Sequence, residues 1–456
     1  MAKVSSPGKG ALQRIRASKA EKVKVAITDV DGVLRGKYIH KPKFEAALDG
    51  GFGFCNVVFG WDAGDVCYDN ARYTGWHTGY PDALVHLDLE TYREVPWDGD
   101  VPFLLGEFVD EKAEPLAVCP RQTLKRVVRR LAEAGYFALA AFEYEFFHFR
   151  ETPASLAERG HQNPRPLSPG MFGYSLLRLN QSRDYVNALM DELRAFRVPI
   201  EGFHTETGPG VMEAAILYSD PVEAADRAVL FKSGAKEIGH RFGIMPSFMA
   251  KWNATLPGCS GHIHQSLWDE GKKKNLFFDP SARHGMSKIF SNYVAGQIAC
   301  MPDLLPLYAP TINSYKRLVE GAWAPTKANW GIDNRTTALR SIPGSKKSTR
   351  LETRVNGSDS NPYLALAAAL ASGLYGIENE LSLGAPVSGS GYDDKKGQSL
   401  PANLEDATRR FEKSSVAREL FGDEFVEHFA ATRHWEWRQF GRAVSDWELQ
   451  RYFEII

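Results

Sequence analysis

Hydrophobic and polar residues alternate at strand spacing up to about residue 110, and helical spacing appears after it. KVAITDV and LRGKYIH flank the dipeptide Asp31-Gly32, a pattern that predicts a β-hairpin. Apolar residues then recur every three or four positions in RQTLKRVVRRLAEAG, a predicted helix that ends at Gly135. The same reasoning predicts further helices over 183–197, 221–239, 285–300, 361–381 and 404–413.

These elements predict an α+β fold in two parts, with a small β-rich domain over 22–112 and a larger α+β domain over 113–456. Residues 1–21 carry several lysines and arginines without an apolar stretch, so we expect a loose basic extension rather than a secretory signal. Asn361 followed by Pro362 is typical of a helix N-cap with proline at the first helical position.

The segment AFEYEFFHF places two glutamates on one face of an otherwise apolar strand. Glu143 and Glu145 lie two residues apart, so their side chains project from the same face at a spacing of about 7 Å. Two carboxylates in such surroundings repel each other and lose hydration. A positive group must therefore neutralise them, and for this strand alone a buried arginine is the first choice.

Three more short segments repeat this arrangement. In GFHTETGPGVMEAAI, Glu206 and Glu213 flank a Gly-Pro-Gly turn, and in SGHIHQS two histidines, His262 and His264, share a face. TRLETRV aligns Arg350, Glu352 and Arg354 in the same way. Mostly oxygen ligands with an occasional imidazole suit Mg²⁺ or Mn²⁺ better than zinc. Together the four segments predict a divalent-metal site.

Arginines accompany this carboxylate set, namely Arg317, Arg335 and Arg340 and the two in TRLETRV. Carboxylates that hold metals beside arginines that hold phosphates are typical of phosphoryl transfer from a nucleotide. Neither G-x-x-x-x-G-K-[ST] nor G-x-G-x-x-G after a strand occurs, so the nucleotide is expected to bind without a P-loop or Rossmann turn.

Composition limits the binding partners and the cellular compartment that we expect for this protein. The 456 residues include 55 basic and 56 acidic ones, so the formal net charge is −1. This balance argues against binding of nucleic acid or an anionic membrane through the overall charge of the protein. Five scattered cysteines without a C-x-x-C pair indicate reduced thiols and a cytoplasmic protein. No run approaches 18 apolar residues, so we expect no transmembrane helix.

ITDVDGVL offers a different chemistry, because it matches the opening of phosphatases that phosphorylate an aspartate, here Asp29. That chemistry needs the aspartate at the end of a parallel strand that leads into a helix. The alternating residues after Gly32 favour the hairpin turn instead.

The motifs EYEFF, ETGPGVMEAA, GHIHQS, NSYKRL, WGIDNRTTALR, RLETRV and NPYLALAAAL together resemble the glutamine synthetase family from about residue 22 to the C-terminus. The resemblance implies an N-terminal β-grasp domain and a catalytic domain with a curved antiparallel sheet. It also implies self-association into two stacked rings, commonly a dodecamer, with active sites between neighbouring subunits. The implied reaction phosphorylates the γ-carboxylate of glutamate with ATP, and an amine then displaces the phosphate.

The resemblance also implies a role for individual residues. Two Mg²⁺ or Mn²⁺ ions per site would be held, one by Glu145, Glu206 and Glu213, the other by Glu143, His262 and Glu352. ATP would contact Glu201, His264, Ser266, Arg340 and Arg350. Glutamate and the transferring phosphoryl group would contact Gly258, Arg317, Arg335 and Arg354, with the three arginines catalytic.

The chain departs from the ammonia-using members at a loop that covers glutamate. Where they carry a glutamate in a run such as G-Y-E-A-P, this chain reads GAWAP with Trp323. An indole offers roughly 150–250 Å² of mostly apolar surface and a cation–π face, which suits a substituted amine better than ammonium. By the same resemblance, Tyr174 and Asp62 are further candidates for the amine pocket.

The expected function is therefore an ATP-dependent ligase that makes a γ-glutamyl amide from glutamate and an organic amine, similar to the γ-glutamylpolyamine synthetases. The alternatives are glutamine synthetase using ammonia, and a non-catalytic structural or regulatory member of the family. The stretch 387–404 lacks the adenylylation motif of regulated bacterial enzymes, although Tyr392 lies in it.

Overall fold

The computed structural model describes residues 6–110 and 112–456. Its N-terminal part is built on a five-stranded sheet in the order β2-β1-β5-β4-β3. Only the β1–β5 pair is parallel among these neighbours. The strands are β1 Lys22–Thr28, β2 Leu34–His40, β3 Phe52–Cys55, β4 Asp82–Val95 and β5 Val101–Val109.

The predicted hairpin is confirmed, since β1 and β2 are antiparallel from Lys22↔His40 to Thr28↔Leu34. Asp29 lies in its turn, where the carboxylate accepts hydrogen bonds from the backbone N–H groups of Asp31 and Val33 and from Arg35. Although β1 is parallel to β5, the chain after Asp29 enters β2 and not a helix. The phosphatase alternative fails on this geometry.

The expected loose extension over 1–21 is wrong for residues 6–17, which form helix α1 (Ser6–Ala17). Ala11 and Ile15 are four residues apart, so they lie on one face of the helix, and both are buried in the core of the N-terminal part. Burial of this apolar stripe holds the basic segment on the sheet. Residues 1–5 lie outside the described range.

The larger part contains a curved sheet in the order β12-β13-β14-β10-β6-β8-β7, with β9 also paired to β6. Its neighbours are antiparallel except β12 and β13. The strands are β6 Phe137–Phe149, β7 Ile200–Thr205, β8 Val211–Ile216, β9 Met245–Ser247, β10 Gly261–Trp268, β12 Trp330–Ile332, β13 Leu339–Ile342 and β14 Arg350–Thr353, while β11 Lys327–Ala328 pairs with β15 Gln398–Ser399.

Helices surround this sheet. They are α3 Pro120–Glu133, α4 Pro153–Glu158, α5 Leu176–Asn180, α6 Arg183–Ala195, α7 Pro221–Arg241, α8 Lys288–Tyr308, α9 Ser314–Arg317, α10 Pro362–Glu378, α11 Leu404–Lys413, α12 Ser415–Phe421, α13 Asp423–Arg442 and α14 Asp446–Tyr452. Helix α2 Lys41–Gly50 packs instead on the N-terminal sheet. All six helices predicted from periodicity are present. The helix α8 starts at its Ser287 N-cap and runs beyond the predicted end through Pro302 and Pro306.

One hydrophobic core spans both parts of the chain. Phe103 and Leu105 of β5 pack in the same cluster as Leu124 of α3 and Leu230 of α7. Asn361 adds a polar tie, because its side chain caps α10 at Tyr363 N–H and donates to the backbone oxygens of Val30 and Asp29 in the hairpin turn. The N-terminal sheet is thus packed on the catalytic part through a shared core.

All five cysteines are free. None of the helices within 6–110 and 112–456 is long and apolar enough to cross a membrane.

Candidate active site

Strand register brings the predicted carboxylates and histidines together. Across neighbouring strands, Glu143 lies opposite His262, Glu145 opposite Glu213, and His264 opposite Glu352. Side chains directly opposite on one face have Cβ atoms about 5 Å apart. The apolar partners on β6, such as Phe142 and Tyr144, point the other way into the main core. The period-2 pattern in the sequence therefore produces one polar face on the curved sheet.

Three residues at the β7–β8 end of this face form a first cluster. One ligand atom each of His204, Glu206 and Glu213 lies within 4.8 Å of the others. His204 Nε2 is 3.0 Å from Glu213 Oε1, and Glu206 lies directly after β7. Glu145 faces Glu213 but already accepts a hydrogen bond from Ser260 N–H at 2.6 Å. Sequence reasoning missed His204, although its spacing of two from Glu206 was the signal to find it.

A second cluster lies where β6, β10 and β14 meet. One ligand atom each of Glu143, His264 and Glu352 lies within 4.8 Å of the others. His262 Nδ1 is 3.3 Å from Glu352 Oε1 and 3.5 Å from Glu143 Oε2, while its Nε2 is buried without a partner among the described residues. Both histidines of GHIHQS therefore reach the carboxylates predicted to hold a metal.

The electrostatics of the two clusters differ. Burial opposes ionisation of Glu143, but hydrogen bonds from His262 and His264 outweigh it and hold the pKa of this carboxyl well below its ordinary value. At the first cluster, burial and the charges of Glu143 and Glu145 raise the pKa of Glu213 despite its hydrogen bond to His204. Burial is thus the main reason why Glu213 resists ionisation, and its hydrogen bond to His204 in turn raises the pKa of that imidazole to about 9.

Oxygen atoms dominate the donor set of both clusters, each with an imidazole. This chemistry fits a hard divalent cation such as Mg²⁺ or Mn²⁺, and a cation there would relieve the repulsion at Glu213. The residues present thus fit the metal that the sequence implies.

The predicted arginines flank the second cluster. Arg340 Nη1 and Arg354 Nη1 donate to the two oxygens of Glu352, at 2.9 Å and 2.5 Å. Arg354 Nε also holds the backbone oxygen of Arg335, whose own side chain is exposed. Arg350 Nε lies 3.3 Å from His264 Nδ1. Four of the arginines named from the sequence therefore lie at or beside the clusters.

Arg317 is buried at the end of α9, and its guanidinium is largely engaged by the protein. It donates to the backbone oxygens of Val355 and Arg354 and to Ser260 Oγ. A Cβ at Gly258 would come within 2.6 Å of Ala250 O and 3.0 Å of Arg317 Cγ. Glycine is thus required at 258 by close packing.

The remaining predicted nucleotide contacts are less tightly tied to the clusters. Ser266 is buried on β10, where its hydroxyl accepts a hydrogen bond from Trp268 Nε1. Glu201 is exposed on β7 and forms no ion pair with any described residue.

Trp323 is 63% exposed, on the loop between α9 and β11. Its φ of 58° lies in the left-handed region, which is uncommon for a bulky residue. The hydroxyl of Tyr392 donates to the backbone oxygen of Ala324 beside it. Tyr392, from the stretch without an adenylylation motif, thus anchors the loop that presents the indole.

The other two amine-pocket candidates are placed differently. Tyr174 stacks on His204 with ring centroids 4.4 Å apart, so it adjoins the first cluster. Asp62 instead accepts hydrogen bonds from Gly64 and Val66 N–H and from Trp435 Nε1. Within this chain the Asp62 carboxylate is occupied by a turn and by α13.

A sequence profile described as glutamine synthetase, catalytic domain, matches residues 117–452. The chain belongs to the glutamine synthetase family. It is therefore a ligase of the kind that forms C–N bonds from glutamate.

Relatives within the family are named either as glutamine synthetases or as ligases of organic amines. The chain is 52% identical to a type-1 glutamine synthetase 2 of Dictyostelium discoideum, over 98% of this chain and 86% of the relative. It is 37% identical to a glutamate–isopropylamine ligase of a Pseudomonas species, over 95% of both chains. A solved structure named as a GmaS/ADP complex superposes with a TM-score of 0.84 at 28% identity, covering 97% of this chain and 99% of the other.

Proposed function

We propose that this ligase phosphorylates the γ-carboxylate of L-glutamate with ATP and couples it to an organic amine. The observation that carries the choice of amine is Trp323, an exposed indole on the loop where ammonia-using members carry a glutamate. The names of relatives that act on isopropylamine or ethanolamine support it.

Different side chains of the site would bind the metal ions and the transferring phosphoryl group. His204, Glu206 and Glu213 on one side and Glu143, His264 and Glu352 on the other would hold two divalent cations, with His262 and Glu145 beside them. Those cations neutralise charge between ATP and the acceptor carboxylate when bound. Arg335, exposed beside the clusters, is free to hold the transferring phosphoryl group, and Arg354 orients it through its backbone oxygen.

Trp323 would then act on the second half of the reaction. Its indole excludes water from the acyl phosphate and places an apolar, electron-rich face beside the incoming amine. Tyr174 adjoins the first cluster and would form the opposite wall. Both aromatic rings favour an amine that carries a hydrocarbon group.

Glutamine synthetase using ammonia is the second candidate, because one carboxylate does lie on the Trp323 loop. Glu320 is exposed and lies three residues before Trp323 on this loop. A carboxylate there has the chemistry to accept a proton from ammonium. The 52% identical relative named as a glutamine synthetase agrees with this candidate.

Phosphate release tests the proposal directly. Purified protein is given ATP, Mg²⁺, glutamate and, in turn, ammonium or one of a panel of alkyl, aryl and hydroxyalkyl amines. We expect release that depends on glutamate and on an organic amine. Turnover with ammonium alone would overturn the choice of amine, and no release with any combination would favour the non-catalytic alternative.

Substitution of Trp323 by glutamate tests which residue selects the acceptor. We expect Trp323→Glu to lower the ratio of kcat/KM for the organic amine over ammonium by about 2- to 30-fold, the equivalent of a cation–π contact of about 0.5–2 kcal/mol. Trp323→Phe keeps an aromatic face and should retain most of the ratio. Phe242→Ala, an exposed aromatic at the end of α7, is the control, and an unchanged ratio in Trp323→Glu would contradict the assignment.

Glu320→Gln separates the second candidate. If Glu320 accepts the proton from ammonium, this variant loses ammonium turnover. If the organic amine is the substrate, its kcat/KM stays near the wild-type value.

A further inference from the structure

Two carboxylates hold the guanidinium of Arg340 from different sides. Nε and Nη2 both donate to Asp333 Oδ1, at 2.9 Å and 2.5 Å, while Nη1 donates to Glu352 Oε2 at 2.9 Å. Strand pairing explains the contact with Glu352, because this residue lies directly opposite Arg340 on the neighbouring strand. The contact with Asp333 has no such explanation, and Asp333 is not among the residues that the sequence predicts for the site.

Asp333 lies at the outer edge of the polar face. It follows directly after β12, and its backbone N–H donates to the oxygen of Ser341 on β13 at 2.8 Å. Its side chain is 59% exposed, whereas those of Arg340 and Glu352 are 12% and 1% exposed. The three charges therefore run from a buried carboxylate in the second cluster, through the arginine, to a carboxylate at the surface.

The backbone at Asp333 adopts an uncommon conformation. Its φ of 47° lies in the left-handed region, which aspartate tolerates better than most residues other than glycine. An ion pair with an exposed partner contributes little to stability. Stability of the fold therefore does not account for a residue in this conformation that directs a carboxylate at Arg340. Backbone outliers of this kind cluster at functional sites.

Arg340 retains hydrogen-bond donors for a ligand in this arrangement. A guanidinium has five N–H groups, and Asp333 and Glu352 together use three of those of Arg340. The other two, one on Nη1 and one on Nη2, have no partner among the described residues. Without Asp333, the guanidinium could turn and donate through both Nη atoms to Glu352. Asp333 thus opposes the attraction of Glu352 and keeps two N–H groups available.

We propose that Asp333 is a positioning residue for ATP that acts through Arg340. It holds the guanidinium so that the two unused N–H groups face the phosphates of the nucleotide, and it does not contact the substrate itself. The inference rests on the proposed use of ATP, in which Arg340 is expected to contact the nucleotide. It does not depend on which amine is coupled.

Binding of ATP with Mg²⁺, measured by isothermal titration calorimetry without glutamate or amine, tests the proposal in the intact protein. We expect Asp333→Gly to raise the Kd for ATP about 2- to 12-fold, since binding must then order a long side chain that the carboxylate no longer holds. Glycine adopts a positive φ without strain, so this change removes the carboxylate and keeps the turn. Asp100→Gly, at an exposed aspartate with a φ of 57°, is the matched control and should bind ATP as the wild type does.

A double variant shows whether Asp333 acts through Arg340. Arg340→Met weakens ATP binding by itself, and the addition of Asp333→Gly should then change the Kd for ATP no further. In steady-state assays, Asp333→Gly should raise the KM for ATP and leave the KM for glutamate unchanged. A general loss of structure would not produce this difference between the two substrates.

Three results would overturn the proposal and leave the proposed function intact. They are wild-type or tighter ATP binding by Asp333→Gly, a further loss of binding when Asp333→Gly is added to Arg340→Met, and an equal rise in both KM values. If Arg340→Met fails to fold, the comparison of the two KM values in Asp333→Gly still decides the question. Failure of the wild type to bind ATP would instead overturn the proposed function, and this inference with it.

Discussion

Most of the charged side chains on the polar face of the curved sheet lie around the carboxylate of Glu352. It is buried, bonded by Arg340 and Arg354, and within 3.3 Å of His262 Nδ1. Burial opposes its ionisation, yet the charges of His262, Arg354, His264 and Arg340 lower its pKa to about 2. Glu352 is therefore ionised throughout the range in which an enzyme is assayed.

Substitution of Glu352 by glutamine keeps its shape but removes this charge. We expect kcat to fall at least about 100-fold, because a metal ligand is lost. The mass of the protein in solution, measured by light scattering, should not change. Glu90→Gln, an exposed position on β4, serves as the control. Undiminished turnover in Glu352→Gln would contradict the metal assignment.

His428 on α13 predicts a pH dependence of stability. Burial, aided by the charge of Arg433, lowers its pKa from 6.5 to about 4, and neither ring nitrogen has a partner among the described residues. The folded state therefore keeps the ring neutral, so this contribution is complete above pH 6.5 and is lost as pH falls towards 4. Between pH 7 and 5 the loss is about 2 kcal/mol.

Urea unfolding at fixed protein concentration measures this effect. The free energy of unfolding of His428→Leu should fall less between pH 7 and 5 than that of the wild type. His161→Leu, at an exposed position, should leave the wild-type slope unchanged. Identical slopes for His428→Leu and the wild type would refute the role of His428.

At the scale of elements, the sequence predicts the helices and strand faces whose residues repeat at a regular local spacing. The six helices with strong periodicity and the four polar strand faces are present, because amphipathic spacing directly reports which face is buried. The end of α8 was missed since proline usually ends a helix, whereas burial of Met301, Leu304 and Leu305 here offsets the missing N–H groups. Helix α13 was missed although Phe425, Val426 and Phe429 follow helical spacing.

Contacts between segments that are distant in the sequence cannot be predicted from such local patterns. The bond from Tyr392 to Ala324 joins two loops 68 residues apart, and no local pattern encodes it. A cavity lined by Gly32 of the hairpin turn and Lys232 of α7 likewise depends on how these two distant elements meet. The period-2 pattern, in contrast, predicted correctly which side chains of one strand share a face.

Tyr392→Phe removes the hydroxyl that anchors the Trp323 loop. One hydrogen bond contributes about 0.5–1.5 kcal/mol, so the KM for the amine should rise about 2- to 10-fold. The KM for ATP should stay unchanged, a selectivity that general destabilisation would not produce. Tyr375→Phe on α10 is the control. An equal rise in both KM values would argue against a specific anchor.

At the scale of the whole molecule, exposed large apolar residues are grouped in two stretches, 171–177 and 440–456. Phe453, Ile455 and Ile456 are 84%, 85% and 93% exposed, and Trp447 on α14 is also exposed. A patch of this kind marks an interaction surface. It supports the expectation that copies of this chain associate.

Removal of residues 444–456 tests that expectation. We expect the truncated protein to show a lower assembled mass at the same concentration in size-exclusion chromatography with light scattering. Glu454→Gln changes the charge of this segment without removing its apolar side chains and should assemble normally. An unchanged mass after truncation would show that the segment does not hold copies together.

The double role of Asn361 limits what evolution or an engineer can place there. Serine, threonine and aspartate cap helices as well as asparagine does, but none of them has the amide N–H₂ that holds the hairpin turn. The turn carries a glycine at this contact, Gly32, where a Cβ would come within 3.1 Å of Asn361 Cα. A chimaera that borrows its N-terminal domain from a relative will therefore need both members of this pair from one parent.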